Sequence, residues 1–175
     1  MNSAPGRVVS FAARVLLGAV LLVAGAVKIP DAAGSVRAVR AYDLLPEVVV
    51  PALGYALPVI EVVCGVLLLL GVFTRAAAAL GAILMVAFVI GIASAWARGL
   101  QIDCGCFGGG GFQADAASQY PWEIARDVAL AACAIVVMVV PSLWRLESLW
   151  STAARVSAHV DHRDDELEPQ PRADQ

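Results

Sequence analysis

Residues Val48–Phe73 read VVVPALGYALPVIEVVCGVLLLLGVF, an apolar stretch that holds a single charge, Glu61. An α-helix needs roughly 20 mostly apolar residues to cross the hydrocarbon core, so this stretch is long enough to span with some tilt. On its C-terminal side, after a tight turn at Arg75, Ala76–Ala97 is long enough again and carries no charge. On its N-terminal side, Val8–Val27 is a third run of spanning length, interrupted only by Arg14. A fourth uncharged run, Val128–Trp144, is the shortest and leans on Trp122 and Trp144 as interface anchors. The prediction is an all-α membrane protein, a four-transmembrane-helix bundle over residues 1–150.

Composition agrees. Of 175 residues, 60% are hydrophobic and 15% charged, where a soluble domain carries about 25% charged residues. The mean hydropathy is +0.78. The excess apolar surface must therefore face lipid. The net charge of -3 is concentrated in residues 151–175, an acidic, Pro-containing tail expected to be disordered. No basic run with interleaved aromatics occurs, which argues against nucleic acid as a partner.

A basic start at Arg7 and Arg14, an apolar run and Ala24-Gly25-Ala26 also fit a cleaved signal peptide. Three further spans, and Lys28 closing the run, favour a retained helix. The positive-inside rule ties, because Arg7, Arg14, Arg75, Arg145 and Arg155 on one side are matched by Lys28, Arg37, Arg40, Arg98 and Arg126 on the other. Leaving the acidic tail untranslocated puts both termini in the cytoplasm and the loops after spans one and three outside. Between spans one and two, Asp31–Glu47 spaces Val36, Val39 and Tyr42 at helical intervals around Arg37 and Arg40, as in a short interfacial helix. Trp144 and Trp150, with Leu143, Leu146 and Leu149, read as another after the last span.

The third connection, Arg98–Pro121, holds the chemistry. Cys104-Gly105-Cys106 sets two thiols one residue apart beside Asp103 and Phe107, followed by Gly108–Gly111. A Cys-x-Cys disulfide is strained, and strain raises the reduction potential, so the pair suits exchange better than stapling. A structural zinc or an iron–sulfur centre would want four ligands. The two histidines, His159 and His162, lie in the tail, so no metal site is assigned, although an inert pair remains open. The attacking cysteine is expected to have a lowered pKa, with Arg98, Arg126 or a helix N-terminus supplying the positive field.

Cys64 and Cys133 fall inside spans, where cysteine packs as a small hydrophobe. Alternatively they form an inner pair that passes electrons on, if spans two and four touch at those depths. Glu61, near the bilayer centre, must be partnered or protonated. It is either an ion pair with Arg14, Lys28 or Arg126, or a proton carrier beside a membrane quinone. Pro58, one turn earlier, should kink the helix and mark a cavity.

These residues resemble the MauE family of methylamine-utilisation membrane proteins, within the broader DoxX-like group. The likeness rests on Ala24-Gly25-Ala26-Val27-Lys28, on Tyr42 with Leu44-Leu45-Pro46, on Pro58 and Glu61, and on Arg126. Its most specific part is Arg98-Gly99 with Ile102-Asp103-Cys104-Gly105-Cys106-Phe107-Gly108. The resemblance implies a four-helix inner-membrane protein that works with a thioredoxin-like oxidoreductase on disulfides of an exported client, in the namesake role a methylamine dehydrogenase subunit. It implies Cys104 and Cys106 as the redox pair, with Lys28, Glu61 and Arg126 as supporting polar positions. Two readings from other classes stand beside it: a non-catalytic membrane anchor for a soluble oxidoreductase, and a small-solute transporter.

Overall fold

The computed structural model describes residues 4–140. Among them are five α-helices: α1 Ala4–Lys28, α2 Ala32–Ala41, α3 Val50–Leu70, α4 Thr74–Ala97 and α5 Ala116–Val139. A single 3-10 turn, Ile29–Asp31, joins α1 to α2, and Asp31 caps α2 by accepting the Gly34 N–H at 2.8 Å. α3 stops where Gly71 takes φ 74°, the left-handed conformation that ends helices.

The molecule is apolar outside and buries several charged side chains within an apolar core. Val8, Leu16, Val23, Val59, Val63, Ile83, Ile90 and Ile135 are all exposed, whereas Arg14, Lys28, Glu61 and Asp127 are buried. Water would penalise both halves of that arrangement, and lipid favours both. Among the described residues, three helical segments are long and apolar enough to cross a membrane: Pro5–Ala41, Val50–Leu70 and Thr74–Ala97. Together they make this a multi-pass membrane protein.

α1 packs along α3, α4 along α5, and α1 closes the bundle against α5. The α1–α3 seam is set by glycine. A Cβ on Gly25 would lie 2.6 Å from the Pro58 carbonyl oxygen, and one on Gly65 would lie 2.7 Å from the Leu22 nitrogen. Such close backbone approach is how helices gain packing energy where no hydrophobic effect separates them from lipid. The same contacts show α1 and α3 running antiparallel. The Ser10 hydroxyl donates to the Val140 carbonyl at 2.7 Å, tying the start of α1 to the end of α5.

Two expectations change in detail. The last described helix begins at Ala116, so the loop after α4 ends at Asp115 rather than at Pro121. Glu123, Arg126 and Asp127 precede the uncharged run yet lie within the helix, with Asp127 buried and Arg126 half-buried inside the bundle. These charges set α5 apart from the three apolar segments. The second change concerns α2, which buries Gly34, Ser35, Val36 and Ala38 as one face and seats Val36 on Gly54 of α3. The end of the Val128–Trp144 run, the helix expected around Trp144 and Trp150, both histidines and the acidic tail lie outside the described residues.

Candidate functional site

The loop between α4 and α5 folds as a small hairpin. Ile102 bridges Phe112, the Asp103 N–H donates to Gly111 O and the Gln113 N–H to Gln101 O, both at 3.0 Å. Residues 104–110 form its tip. Gly110 has φ +109°, and a Cβ there would lie 2.8 Å from the Gly34 carbonyl oxygen and from Ala38. Only glycine takes that backbone conformation at that distance from α2, which explains part of the glycine run. The Tyr42 hydroxyl donates to the Cys104 carbonyl at 2.9 Å, while Tyr120 accepts the Ile102 N–H at 3.1 Å and donates to Leu100 O at 2.8 Å. Asp103 accepts the Gly105 N–H at 2.6 Å, closing the turn that holds the two cysteines.

Cys104 and Cys106 are consequently buried, 7% and 5% exposed, and both are free thiols. The Cys106 N–H donates to Cys104 Sγ at 3.4 Å, and Cys106 Sγ stands 4.0 Å from Asp127 Oδ2. Asp127 accepts from Arg126 Nε at 2.9 Å, and the Arg126 guanidinium lies 4.9 Å from the Phe107 ring centre, within cation–π range. The hydrogen bond with Cys104, burial, and the nearby Cys104 and Asp127 push the Cys106 thiol well above its usual range, against an opposing pull from Arg126. Cys106 is thus held protonated in its place in the loop. Burial first, then Cys106 and Cys104, also push the Tyr42 hydroxyl up, which keeps it a donor.

Below the loop, Lys28 Nζ lies 2.7 and 2.8 Å from the two Glu61 oxygens, both side chains buried. Helical Cα–Cβ bonds tilt toward the N-terminus, so Lys28 at the end of α1 reaches back along the seam to Glu61. Of the three cations offered from sequence, Lys28 is the partner. Arg14 stacks over Phe11 at 5.1 Å, and Arg126 pairs with Asp127. A cavity of about 10 Å³, room for about one water, has both Glu61 and Cys106 on its wall, along with Arg126, Asp127 and Phe88.

The helical frame, the loop dithiol and the buried Lys28–Glu61 pair invite comparison with known families. The family model of methylamine utilisation protein MauE matches residues 6–140. This chain belongs to the MauE family. No curated protein and no solved structure matches it.

In this MauE-family chain, sequence reasoning about the site passed over Asp127 and Glu123. Both sit in α5, where 123, 126 and 127 fall at i, i+3 and i+4 and share one face. Glu123 lies close enough to Cys104 to interact with it. That spacing, in an otherwise apolar helix, was the available signal. Cys64 packs in the core with Leu17, Leu21 and Leu68, and Cys133 is half-buried on α5. α3 and α5 do not pack along one another. No group of three or more His, Cys, Asp or Glu placed to hold a metal occurs among the described residues.

Proposed function

We propose that the Cys104/Cys106 dithiol exchanges disulfides with an extracytoplasmic thioredoxin-like oxidoreductase, supporting disulfide formation in an exported client of the methylamine dehydrogenase type. On this reading α5 makes the fourth crossing of a four-helix bundle, α2 lies at the interface, both termini are cytoplasmic and the cysteine loop faces outward in a bacterial-type inner membrane. The observation that carries it is the carboxylate beside the dithiol: Asp127 Oδ2 stands 4.0 Å from Cys106 Sγ, and Glu123, one turn earlier on the same face of α5, lies near Cys104. A dithiol that cycles must lose two protons each time it is oxidised, and an acceptor beside the sulfurs supplies the route. Phe112, 83% exposed, and Phe107, 42% exposed, flank the loop and give a partner an apolar edge to seat on.

The exchange runs through thiolate attack and a mixed disulfide. Because Cys106 is held protonated, it is the inner sulfur of the pair: it leaves as a thiol when the partner's thiolate attacks Cys104 of the Cys104–Cys106 disulfide, and it passes its proton to Asp127 when that disulfide is re-formed. Cys104 is then the sulfur that forms the mixed disulfide. Arg126 fixes the Asp127 carboxylate, and Lys28 neutralises Glu61 below it.

The burial of both cysteines supports a second reading, a membrane anchor whose thiols only pack. Replacing both with serine separates the two. A redox carrier should still assemble with its partner yet lose client oxidation, and an anchor should retain both.

A further inference from the structure

α3 and α4 are joined by a short turn but pack together less extensively than α1 with α3 or α4 with α5. Between them and the α2–α3 connection lies an apolar cavity of about 240 Å³, walled by Leu53, Leu57, Leu84, Ala87 and Gly91 and by Leu44 and Leu45. Leu44 and Leu45 are 48% and 43% exposed, so the mouth opens on the apolar exterior. Its inner end is shared. Val39, Tyr42, Leu57 and Phe88 also wall a smaller chamber of about 30 Å³, whose other walls are Lys28, Ser35, Cys104 and Gly105.

The path from lipid to sulfur is therefore graded, apolar and roomy outside, polar and narrow within. Ser35 adds a second observation. It is 8% exposed and lines the inner chamber, and its hydroxyl has no hydrogen-bond partner among the described residues. A buried hydroxyl left in that state costs free energy that a ligand acceptor would recover.

We propose that this two-chamber path binds a lipid-soluble quinone, its ring between Tyr42 and Phe88, one carbonyl directed at Ser35 and its tail leaving past Leu44 and Leu45. The inference rests on the dithiol reading above and gives it a direction. Oxidation breaks the two S–H bonds of Cys104 and Cys106 and forms one S–S bond. Two electrons and two protons pass to the two quinone oxygens, yielding the hydroquinone. The disulfide is then delivered outward to the thioredoxin-like partner, which returns the dithiol. Lys28, on the inner wall with its charge held by Glu61, lies where the reduced ring would carry negative charge.

The test uses full-length protein in nanodiscs with decylubiquinone as probe. Wild type is expected to bind it saturably and, once reduced, to convert one quinone per dithiol. Ala87→Trp, which fills the outer chamber from an exposed position, and Ser35→Ala should each weaken binding about tenfold. The Cys104→Ser/Cys106→Ser protein should bind with unchanged affinity and reduce nothing. Helical circular dichroism checks that each variant is folded. Equal binding by wild type and Ala87→Trp, displacement by decanol as readily as by quinone, or no saturable binding would each overturn the proposal. Exchange of the reduced protein with a model disulfide in quinone-free nanodiscs is measured in parallel. Exchange without quinone reduction defeats the quinone site alone, and absence of exchange defeats the underlying reading.

Discussion

Cys106 and Glu61, on different elements and far apart in sequence, wall the same water-sized cavity, with Asp127 4.0 Å from the cysteine sulfur and Lys28 2.7 Å from the glutamate. The loop dithiol and the intramembrane ion pair are therefore one site on two levels. The α1–α3 glycine seam sets the lower level, and the seating of the loop on α2 sets the upper.

The ion pair should be indispensable to the fold as a pair and replaceable as a pair. Glu61→Ala leaves an ammonium buried without its partner, a change expected to cost about 3–5 kcal/mol. Lys28→Met with Glu61→Leu removes both charges and should recover most of that loss. Thermal unfolding in detergent, followed by the protection of Cys64 from alkylation, measures it. A double variant no more stable than Glu61→Ala would show that the charges hold the seam in another way.

Asp127 should control the ionisation of Cys106. A thiol whose folded-state pKa is raised binds its proton more tightly in the fold than in the unfolded chain. Its contribution to stability is then fully present below the ordinary thiol pKa and is lost as pH rises toward the folded value. Asp127→Asn removes a nearby negative charge and should move the alkylation midpoint of Cys106 down, whereas Arg126→Gln should move it up. Site-resolved mass spectrometry of the Cys106 alkylation rate at about pH 9 reads both, as a faster rate in Asp127→Asn and a slower one in Arg126→Gln than in wild type.

Seating of the loop on α2 should govern access to the sulfurs. A Cβ at Gly110 meets Ala38 and the Gly34 carbonyl at 2.8 Å in a backbone conformation side chains rarely adopt, so Gly110→Ala should lift the tip. Tyr42→Phe loses one hydrogen bond to the Cys104 carbonyl, worth about 1 kcal/mol. A membrane-impermeant maleimide should label Cys104 in intact, reductant-treated cells faster in either variant than in wild type. Labelling confined to opened membranes would place the loop on the cytoplasmic side.

Much of this was legible in the amino-acid sequence, for physical reasons. Val48–Phe73 and Ala76–Ala97 announce helices because lipid tolerates long uncharged runs and water does not. Cys104-Gly105-Cys106 announces a tight dithiol because its spacing is local. α5 was harder: Glu123, Arg126 and Asp127 stand ahead of the uncharged run and hide the start of the helix, and their inward placement depends on a partner loop whose seat is on α2. Lys28 could not be chosen over Arg14 or Arg126 as the partner of Glu61 for a similar reason. That choice comes from the antiparallel register of α1 on α3, which depends on Gly25 meeting Pro58. The graded path to Ser35 was invisible, because Leu44, Leu57 and Gly91 come together only in three dimensions.

The central claim, that Cys104 and Cys106 turn over as a dithiol, is tested most directly by trapping the mixed disulfide. Cells carrying Cys106→Ser, which leaves Cys104 without the inner sulfur of the pair, are quenched in acid and analysed by non-reducing electrophoresis and mass spectrometry. We expect a reductant-sensitive adduct joining Cys104 to a thioredoxin-like protein, and no such adduct in the Cys104→Ser/Cys106→Ser cells. If neither single variant yields an adduct while the double serine variant still supports client oxidation, the cysteines only pack the loop and the redox account is wrong.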